Sequence, residues 1–208
     1  MIALPEMTVF RDLEQGTDEW LMARLGVPTA SEFDAIMTCG RGGKPSATRL
    51  TYMYKLIGER LTDEPSAKFD NYATRRGHEL EPEARELYTM LTGNEVEQVG
   101  FIARGKWCGA SPDGLIGEPG MLEIKTKAPH LQIPVLLSGE VPAEHTAQLQ
   151  GQLWVAEREW VDFLSYWPGL QPFLKRVYRD EDYISKLAAA VEEFHAQMAE
   201  IMEKVKAR

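Results

Sequence analysis

The segment SPDGLIGEPGMLEIKTK, residues Ser111–Lys127, combines a tight turn with a strand whose charged residues fall on one side. Near its end, Leu122-Glu123-Ile124-Lys125 alternates apolar with charged residues, which is typical of a β-strand with two different faces. Glu123 and Lys125 therefore share one face, while Leu122 and Ile124 share the other. A solvated strand face is one interpretation of this pattern, and a chemical site is the other.

The turn before this strand supplies a third charged residue. A hairpin spanning residues 107–127 would bring Asp113, in the Ser-Pro-Asp-Gly turn, beside Glu123. Two adjacent carboxylates repel, and a hard divalent cation with oxygen ligands, usually magnesium, relieves that repulsion. Lys125 can stabilise an attacking water or the charge that develops on a phosphate. The set predicts metal-assisted phosphodiester hydrolysis.

The rest of the chain predicts a mixed central sheet flanked by helices, an α/β (α+β) fold. Strands are expected over residues 95–102, 107–110, 121–127, 159–167 and 173–179. Helices are expected over 18–25, from Thr29 or Ser31 onward, and over 49–62, 75–92, 146–156 and 181–205. Pro82 requires the 75–92 helix to kink or to begin near Glu81. We expect one domain over residues 1–208, with the terminal helix, 180–208, packed on it.

Composition excludes several classes of protein. No apolar run reaches the roughly 20 residues of a membrane span, and no signal peptide is expected at the N-terminus. Cys39 and Cys108 lack metal-ligand spacing and predict free thiols in a reducing cytoplasm. The net charge of −9 argues against a generally basic DNA-binding surface, although 15 of the 23 Lys and Arg residues precede residue 131. A local basic groove remains compatible with this balance.

Five motifs occur in a characteristic order: Arg24–Val27 with Thr29–Glu32, Gly77–Glu81, Ser111–Leu115, Leu122–Lys125, and Ala147–Gln150 with Leu153-Trp154. Together they cover about residues 14–167, and in this order the chain resembles the bacteriophage lambda exonuclease family. These are YqaJ-like viral recombinase nucleases of the PD-(D/E)xK superfamily. The resemblance implies a restriction-endonuclease-like fold, in agreement with the sheet and helices expected above.

The resemblance also implies a role for each residue of the metal site. Asp113 and Glu123 would ligate Mg²⁺ together with the backbone carbonyl of Ile124, and Lys125 would orient or activate the water. Glu81 would serve a second Mg²⁺, as in two-metal hydrolysis, with Mn²⁺ able to substitute. Without the resemblance, a glutamate favoured by the helix dipole is the preferred interpretation of Glu81.

Further roles follow from the same resemblance. Gln150 would contact the site from the 146–156 helix, with Gln148 and Gln152 competing for that role. The DNA 5′-phosphate would be bound by Arg24, Ser31 and Ser111, and the duplex would be contacted by Arg41 and Lys44 in the glycine-rich loop. A surface ion pair of Arg24 with Asp18 or Glu32, helix capping by the serines, and a solvated loop are the alternatives. The tryptophans, Trp20 among them, are expected in the core.

The activity implied is a magnesium-dependent 5′-to-3′ exonuclease on double-stranded DNA ends. It would release 5′-mononucleotides and leave 3′ single-stranded tails for a single-strand annealing recombinase, in the cytoplasm of a bacterial host. The family forms a ring-shaped homotrimer through which DNA threads. The alternatives are an endonuclease on the same fold and a non-catalytic DNA-binding or assembly module. The sequence lacks the clustered oxygen ligands of a calcium loop, which argues against a calcium-stabilised structural domain.

Overall fold

A computed structural model describes residues 4–40, 42, 44–66 and 72–207. The first half contains one strand and four helices: β1 Met7–Phe10, α1 Asp18–Ala23, α2 Phe33–Met37, α3 Ala47–Thr62 and α4 Tyr72–Thr92. The second half contains β2 Phe101–Arg104, β3 Cys108–Ala110, β4 Gly114–Ile116, β5 Gly120–Thr126, α5 Pro129–Ser138, α6 Thr146–Ala156, β6 Trp160–Tyr166, β7 Phe173–Tyr178 and α7 Glu181–Lys206. Short 3₁₀ helices at Ala30–Glu32 and Ala143–His145 precede α2 and α6.

The strands form two sheets. A mixed sheet has the order β4-β5-β6-β7, in which β5 and β6 are parallel and the outer pairs are antiparallel. A second, antiparallel sheet has the order β1-β2-β3. An isolated bridge from Glu97 to Leu115 connects the segment before β2 with β4, so the two sheets lie next to each other. The predicted mixed sheet flanked by helices is confirmed.

Two strand predictions need correction. The strand expected over 95–102 is reduced to the Glu97 bridge followed by β2, since the chain bends at Gly100, where a side chain would collide with the Leu13 carbonyl. The expected hairpin over 107–127 is also not one hairpin. β3 pairs with β2 in the antiparallel sheet, and the hairpin is formed by β4 and β5, with Gly114 opposite Leu122.

Both faces of β5 are covered. Leu122 and Ile124 pack under α4 in a cluster with Ala84, Tyr88 and the β6 residues Leu164 and Tyr166. On the opposite face, Met121 joins the main core beneath α6. Glu123 lies on this second face and is only 2% exposed. The interpretation of the strand as a solvated face is therefore wrong.

The long helices frame this sheet. α4 continues on both sides of Pro82, so the alternative in which it begins near Glu81 is wrong; the missing N–H of Pro82 leaves the helix one backbone hydrogen bond short. α7 packs one apolar stripe, formed by Ile184, Leu187, Val191, Phe194 and Met198, against the main core. Among the described residues, no helix combines the length and apolar character needed to cross a membrane.

Candidate active site

The charged pair of β5 forms the floor of the site. The Lys125 Nζ lies 2.6 Å from the Glu123 Oε1, which confirms that the two side chains share a face. Burial alone would lower the pKa of Lys125, but the negative charges of Glu123, Asp113 and Glu81 outweigh it and raise that pKa. Lys125 is consequently a cation at neutral pH in this structure. It is suited to donating hydrogen bonds and stabilising negative charge.

The α6 helix holds Glu123 through two glutamines. The Gln148 Nε2 donates to the Glu123 Oε1 at 2.6 Å, and the Gln152 Nε2 donates to Oε2 at 2.5 Å. These two positions are four residues apart and share one face of the helix. Together with Lys125, they orient a carboxylate that would otherwise be poorly solvated at this depth.

Gln150, the residue expected to contact the site, points elsewhere. Its Nε2 donates to the Tyr178 carbonyl at 2.9 Å, and its Oε1 accepts from the Asp180 N–H at the same distance. It therefore fastens the end of β7 and the start of α7 to α6. The prediction for Gln150 is corrected because residue 150 lies about 200° around the helix from residue 148. Gln148 and Gln152 make the contacts that were expected of it.

Asp113 lies directly beside this floor, as the turn position predicted. Its N–H donates to the Leu122 carbonyl, and its Oδ2 accepts from the Ile124 N–H at 2.5 Å. Burial and the negative charges of Glu123 and Glu81 raise the pKa of Asp113 well above its usual range, against the opposing effects of Lys125 and the Ile124 N–H. The carboxylates are thus close enough to repel one another strongly.

Glu81 joins the site from α4 with an arginine partner that the sequence did not suggest. The Arg85 guanidinium donates to the Glu81 carboxylate one helical turn away, and its Nε donates to the Asp113 carbonyl at 3.3 Å. Reorienting the Gln98 amide would add an acceptor for Arg85 at 3.0 Å. Arg85 therefore ties α4 to the turn that carries Asp113.

The donor set fits a hard cation at Asp113 and Glu123. The Asp113 Oδ1 accepts no hydrogen bond from the described residues, and the Glu123 Oε2 accepts only one. The raised pKa of Asp113 reports negative charge that a divalent cation would neutralise. Across the described part of the chain, however, no three His, Cys, Asp or Glu side chains are gathered as a ready metal cluster. Glu81 lies nearby, bonded to Arg85, rather than in one shell with the other two carboxylates.

The residues predicted to bind a phosphate form a second group. The Arg24 Nη2 donates to the Thr29 Oγ1 at 3.2 Å, and the Thr29 and Ser31 hydroxyls lie 3.3 Å apart. Burial lowers the pKa of Arg24 to about 10, so it remains a cation at neutral pH. Within the described residues it has no ion pair, and the alternative of a surface pair with Asp18 or Glu32 is wrong. Thr29 occupies the N-cap position of the 3₁₀ helix, and Ser31 lies within that helix.

Trp20 links this group to Ser111. The Arg24 guanidinium lies over the Trp20 ring, 3.8 Å from its centroid. The Trp20 Nε1 donates to the Gly100 carbonyl at 2.9 Å and to the Ser111 Oγ at 3.2 Å. Arg24, Ser31 and Ser111 are thereby brought to one region, as predicted. Trp20 also packs on Phe101, as a core residue would, but its contacts with Arg24 and Ser111 were not expected.

A cleft of about 1200 Å³ joins the two groups, running past Trp20, Arg24, Glu81, Arg85 and Asp113. Its lining includes Asp113 and Glu81 from the first group and Arg24 and Thr29 from the second. Lys44, predicted to contact DNA, is exposed. Its backbone carbonyl accepts a hydrogen bond from the Gly40 N–H. Arg41 lies outside the described residues.

Comparisons with known proteins identify the family and the fold. Residues 19–159 match the model of the YqaJ-like viral recombinase domain. The crystal structure of LHK-Exo, an alkaline exonuclease from Laribacter hongkongensis, superposes with a TM-score of 0.82 at 38% identity, over 92% of this chain and 97% of that one. The structure of LHK-Exo in complex with dAMP matches equally well.

A more distant structure shares the fold alone. It is a phage-related exonuclease from Haemophilus somnus 129PT, with a TM-score of 0.56 and 15% identity, over 85% of this chain and 96% of that one. A search of curated proteins found no match. The family model covers well over half of the chain and includes both groups of residues described above. The chain therefore belongs to the YqaJ-like viral recombinase family, with the fold of an alkaline exonuclease.

Proposed function

We propose that this protein is a magnesium-dependent 5′-to-3′ exonuclease that degrades one strand of double-stranded DNA from its end. The observation that carries the proposal is that one cleft is lined both by Asp113 of the Asp113–Glu123–Lys125 site and by Arg24 and Thr29 of the arginine–hydroxyl group. The first group suits phosphodiester hydrolysis, and the second suits a terminal phosphate. The relative LHK-Exo is named as an exonuclease and was crystallised with dAMP, a mononucleotide, which supports the same product class.

The proposed reaction breaks one phosphodiester bond in each cycle. Water attacks the phosphorus between the first and second nucleotides, and the bond from phosphorus to the 3′ oxygen of the first nucleotide breaks. The proton lost by the water is balanced by the proton gained by the leaving 3′ oxygen. The first nucleotide leaves as a 5′-mononucleotide, and the second nucleotide keeps the phosphate as a new 5′ end. That end is again a ligand for Arg24, Ser31 and Ser111.

Magnesium, when bound by Asp113, Glu123 and the Ile124 carbonyl, would polarise the phosphate and lower the pKa of the attacking water; Mn²⁺ could replace it. Lys125 donates to the water or to the phosphate oxygens and stabilises the negative charge that grows there. Its ion pair with Glu123 places it to orient the water as a cation. Gln148 and Gln152 fix the Glu123 carboxylate, and Glu81 is available to a second ion or its water.

The same proposal includes an assembly and a pathway. We infer a homotrimeric ring around the duplex, acting in the bacterial cytoplasm beside a protein that anneals the 3′ single strands produced. Support comes from membership of a viral recombinase family, since recombination by annealing requires such tails. A ring would also explain how a protein of net charge −9 retains DNA, because encirclement replaces part of the electrostatic attraction.

The test measures release of acid-soluble nucleotide, with Mg²⁺, from a linear duplex bearing 5′-phosphates and from a covalently closed circle. We expect degradation of the linear DNA alone, with labels at the 5′ termini released before labels at the 3′ termini. Lys125→Ala should reduce the rate at least about a hundredfold, the cost typical of removing a group that stabilises the transition state. Its circular dichroism spectrum should match that of the wild type.

Three results would overturn parts of the proposal. Nicking of the circle would identify an endonuclease, for which no 5′-phosphate pocket is needed. Unchanged hydrolysis by Lys125→Ala would exclude the proposed chemistry. Binding of duplex DNA with no hydrolysis under any divalent metal would identify a non-catalytic module.

A further inference from the structure

Trp20 contacts two of the three proposed phosphate-binding residues, which come from distant parts of the chain. Arg24 follows it by one helical turn, and Ser111 lies 91 residues away. Its own position is fixed by the Thr17 hydroxyl, which accepts from the Trp20 N–H at 3.3 Å, and by packing against Val27 and Phe101. The indole is therefore a rigid part of the structure with a polar contact at its edge and a cation on its face.

The contact with Ser111 determines which way that hydroxyl can donate. An indole N–H is a donor and never an acceptor, so the Ser111 Oγ must accept in this contact. The hydroxyl proton of Ser111 is left to donate to another group, and a terminal phosphate oxygen is a strong acceptor. The contact thus converts a hydroxyl of free orientation into a donor available to an anion.

The contact with Arg24 limits a flexible side chain in a similar way. An unrestrained arginine loses rotamer entropy when it is fixed on a ligand. Stacking on Trp20 at 3.8 Å and donation to Thr29 fix the guanidinium beforehand. Its remaining N–H groups have no carboxylate partner among the described residues and stay available to a phosphate.

We propose that Trp20 is a positioning residue for recognition of the 5′-phosphate. It holds Arg24 by stacking and Ser111 by a hydrogen bond, so that both residues contact the same terminal phosphate. The inference rests on the proposed exonuclease function. It predicts that Trp20 controls the preference for phosphorylated over unphosphorylated ends, not only the stability of the fold.

The experiment compares initial rates on linear duplexes that differ only in carrying a 5′-phosphate or a 5′-hydroxyl, and it records thermal unfolding of each variant. Trp20→Phe keeps an aromatic ring over Arg24 but removes the N–H. We expect the ratio of the two rates to fall by roughly three- to tenfold, the equivalent of one neutral hydrogen bond. Trp20→Ala should reduce the ratio further.

Trp160 provides a matched control. Its ring also carries an arginine, Arg176, at 3.4 Å, but it lies at the opposite end of the mixed sheet from Lys125. Trp160→Phe should leave the ratio at its wild-type value whatever it does to the unfolding temperature.

The possible results distinguish the proposed role of Trp20 from the 5′-phosphate recognition on which that role depends. If Trp20→Phe slows both substrates equally, the residue is merely structural and the inference is overturned while the pocket stands. If the wild type degrades the 5′-phosphate and 5′-hydroxyl duplexes at equal rates, the protein has no 5′-phosphate pocket. The proposed role of Trp20 is then excluded as well. A reduced ratio in Trp20→Phe beside an unchanged ratio in Trp160→Phe supports the inference.

Discussion

The negative charge of Asp113 serves the proposed metal site but destabilises the metal-free fold. Burial and two neighbouring carboxylates raise its pKa, so the metal-free folded chain holds the Asp113 proton more tightly than the unfolded chain does. The ionised Asp113 carboxylate therefore lowers the stability of the metal-free protein at pH values above its folded pKa. That stability is recovered as the pH falls through the folded pKa.

Asp113→Asn should therefore stabilise the metal-free protein while abolishing hydrolysis. Asparagine keeps an oxygen to accept from the Ile124 N–H but carries no charge. We expect an unfolding temperature higher by about 2–4 °C for each 1 kcal/mol gained, measured with a chelator at pH 8. The difference from wild type should shrink as the pH is lowered. A variant less stable than wild type at pH 8 would show that the repulsion is not the dominant effect.

At the scale of elements, the β5 strand was predictable and the orientation of α6 was not. The alternation of Leu122, Glu123, Ile124 and Lys125 has period two, which fixes opposite faces without further information. α6 is buried along nearly its whole length, from Ala147 to Ala156, so hydrophobicity does not mark a preferred face. The family motif places glutamine on this helix, but only the packing selects Gln148 and Gln152 over Gln150.

Other elements escaped prediction for similar reasons. β1 has four residues, and β4 has three, too few for a periodic signal. α5 contains Pro129 and Pro134, which suggest a loop, although Pro129 lies in the first turn, where its missing N–H costs nothing. Arg85 is an ordinary helix residue in sequence, and only the structure shows that it contacts both Glu81 and the Asp113 turn.

Alanine variants of the α6 glutamines test this assignment. Gln148→Ala should lower the rate of hydrolysis about 10–100-fold or raise the Mg²⁺ concentration needed by a similar factor, as loss of a residue that orients a metal ligand does. Gln150→Ala should instead lower stability by about 1–3 kcal/mol, because the Tyr178 carbonyl and the Asp180 N–H lose their partner. The rate per folded molecule should be unchanged. Equal losses of rate in the two variants, at equal stability, would contradict the orientation of α6.

At the scale of the whole molecule, net charge bears on how DNA is held and on assembly. A protein of net charge −9 with one cleft lined in part by arginines should bind DNA weakly as a monomer. Light scattering should give a mass three times 23.5 kDa. Once loaded on an end, the trimer should be retained at salt concentrations that prevent initial binding. A monomeric mass at working concentration would remove the ring from the proposal.

The turn of Ser111, Pro112 and Asp113 is held by three side chains: Trp20 on Ser111, Gln15 on the Pro112 carbonyl and Arg85 on the Asp113 carbonyl. Two of these contacts span 91 and 97 residues of chain. Such non-local contacts form late in folding, because the loop between them must close first. During synthesis, the amino-terminal part leaves the ribosome well before residue 113 and must wait for it. A nascent chain of this nuclease should therefore be inert toward the DNA of the cell that makes it until the fold is nearly complete.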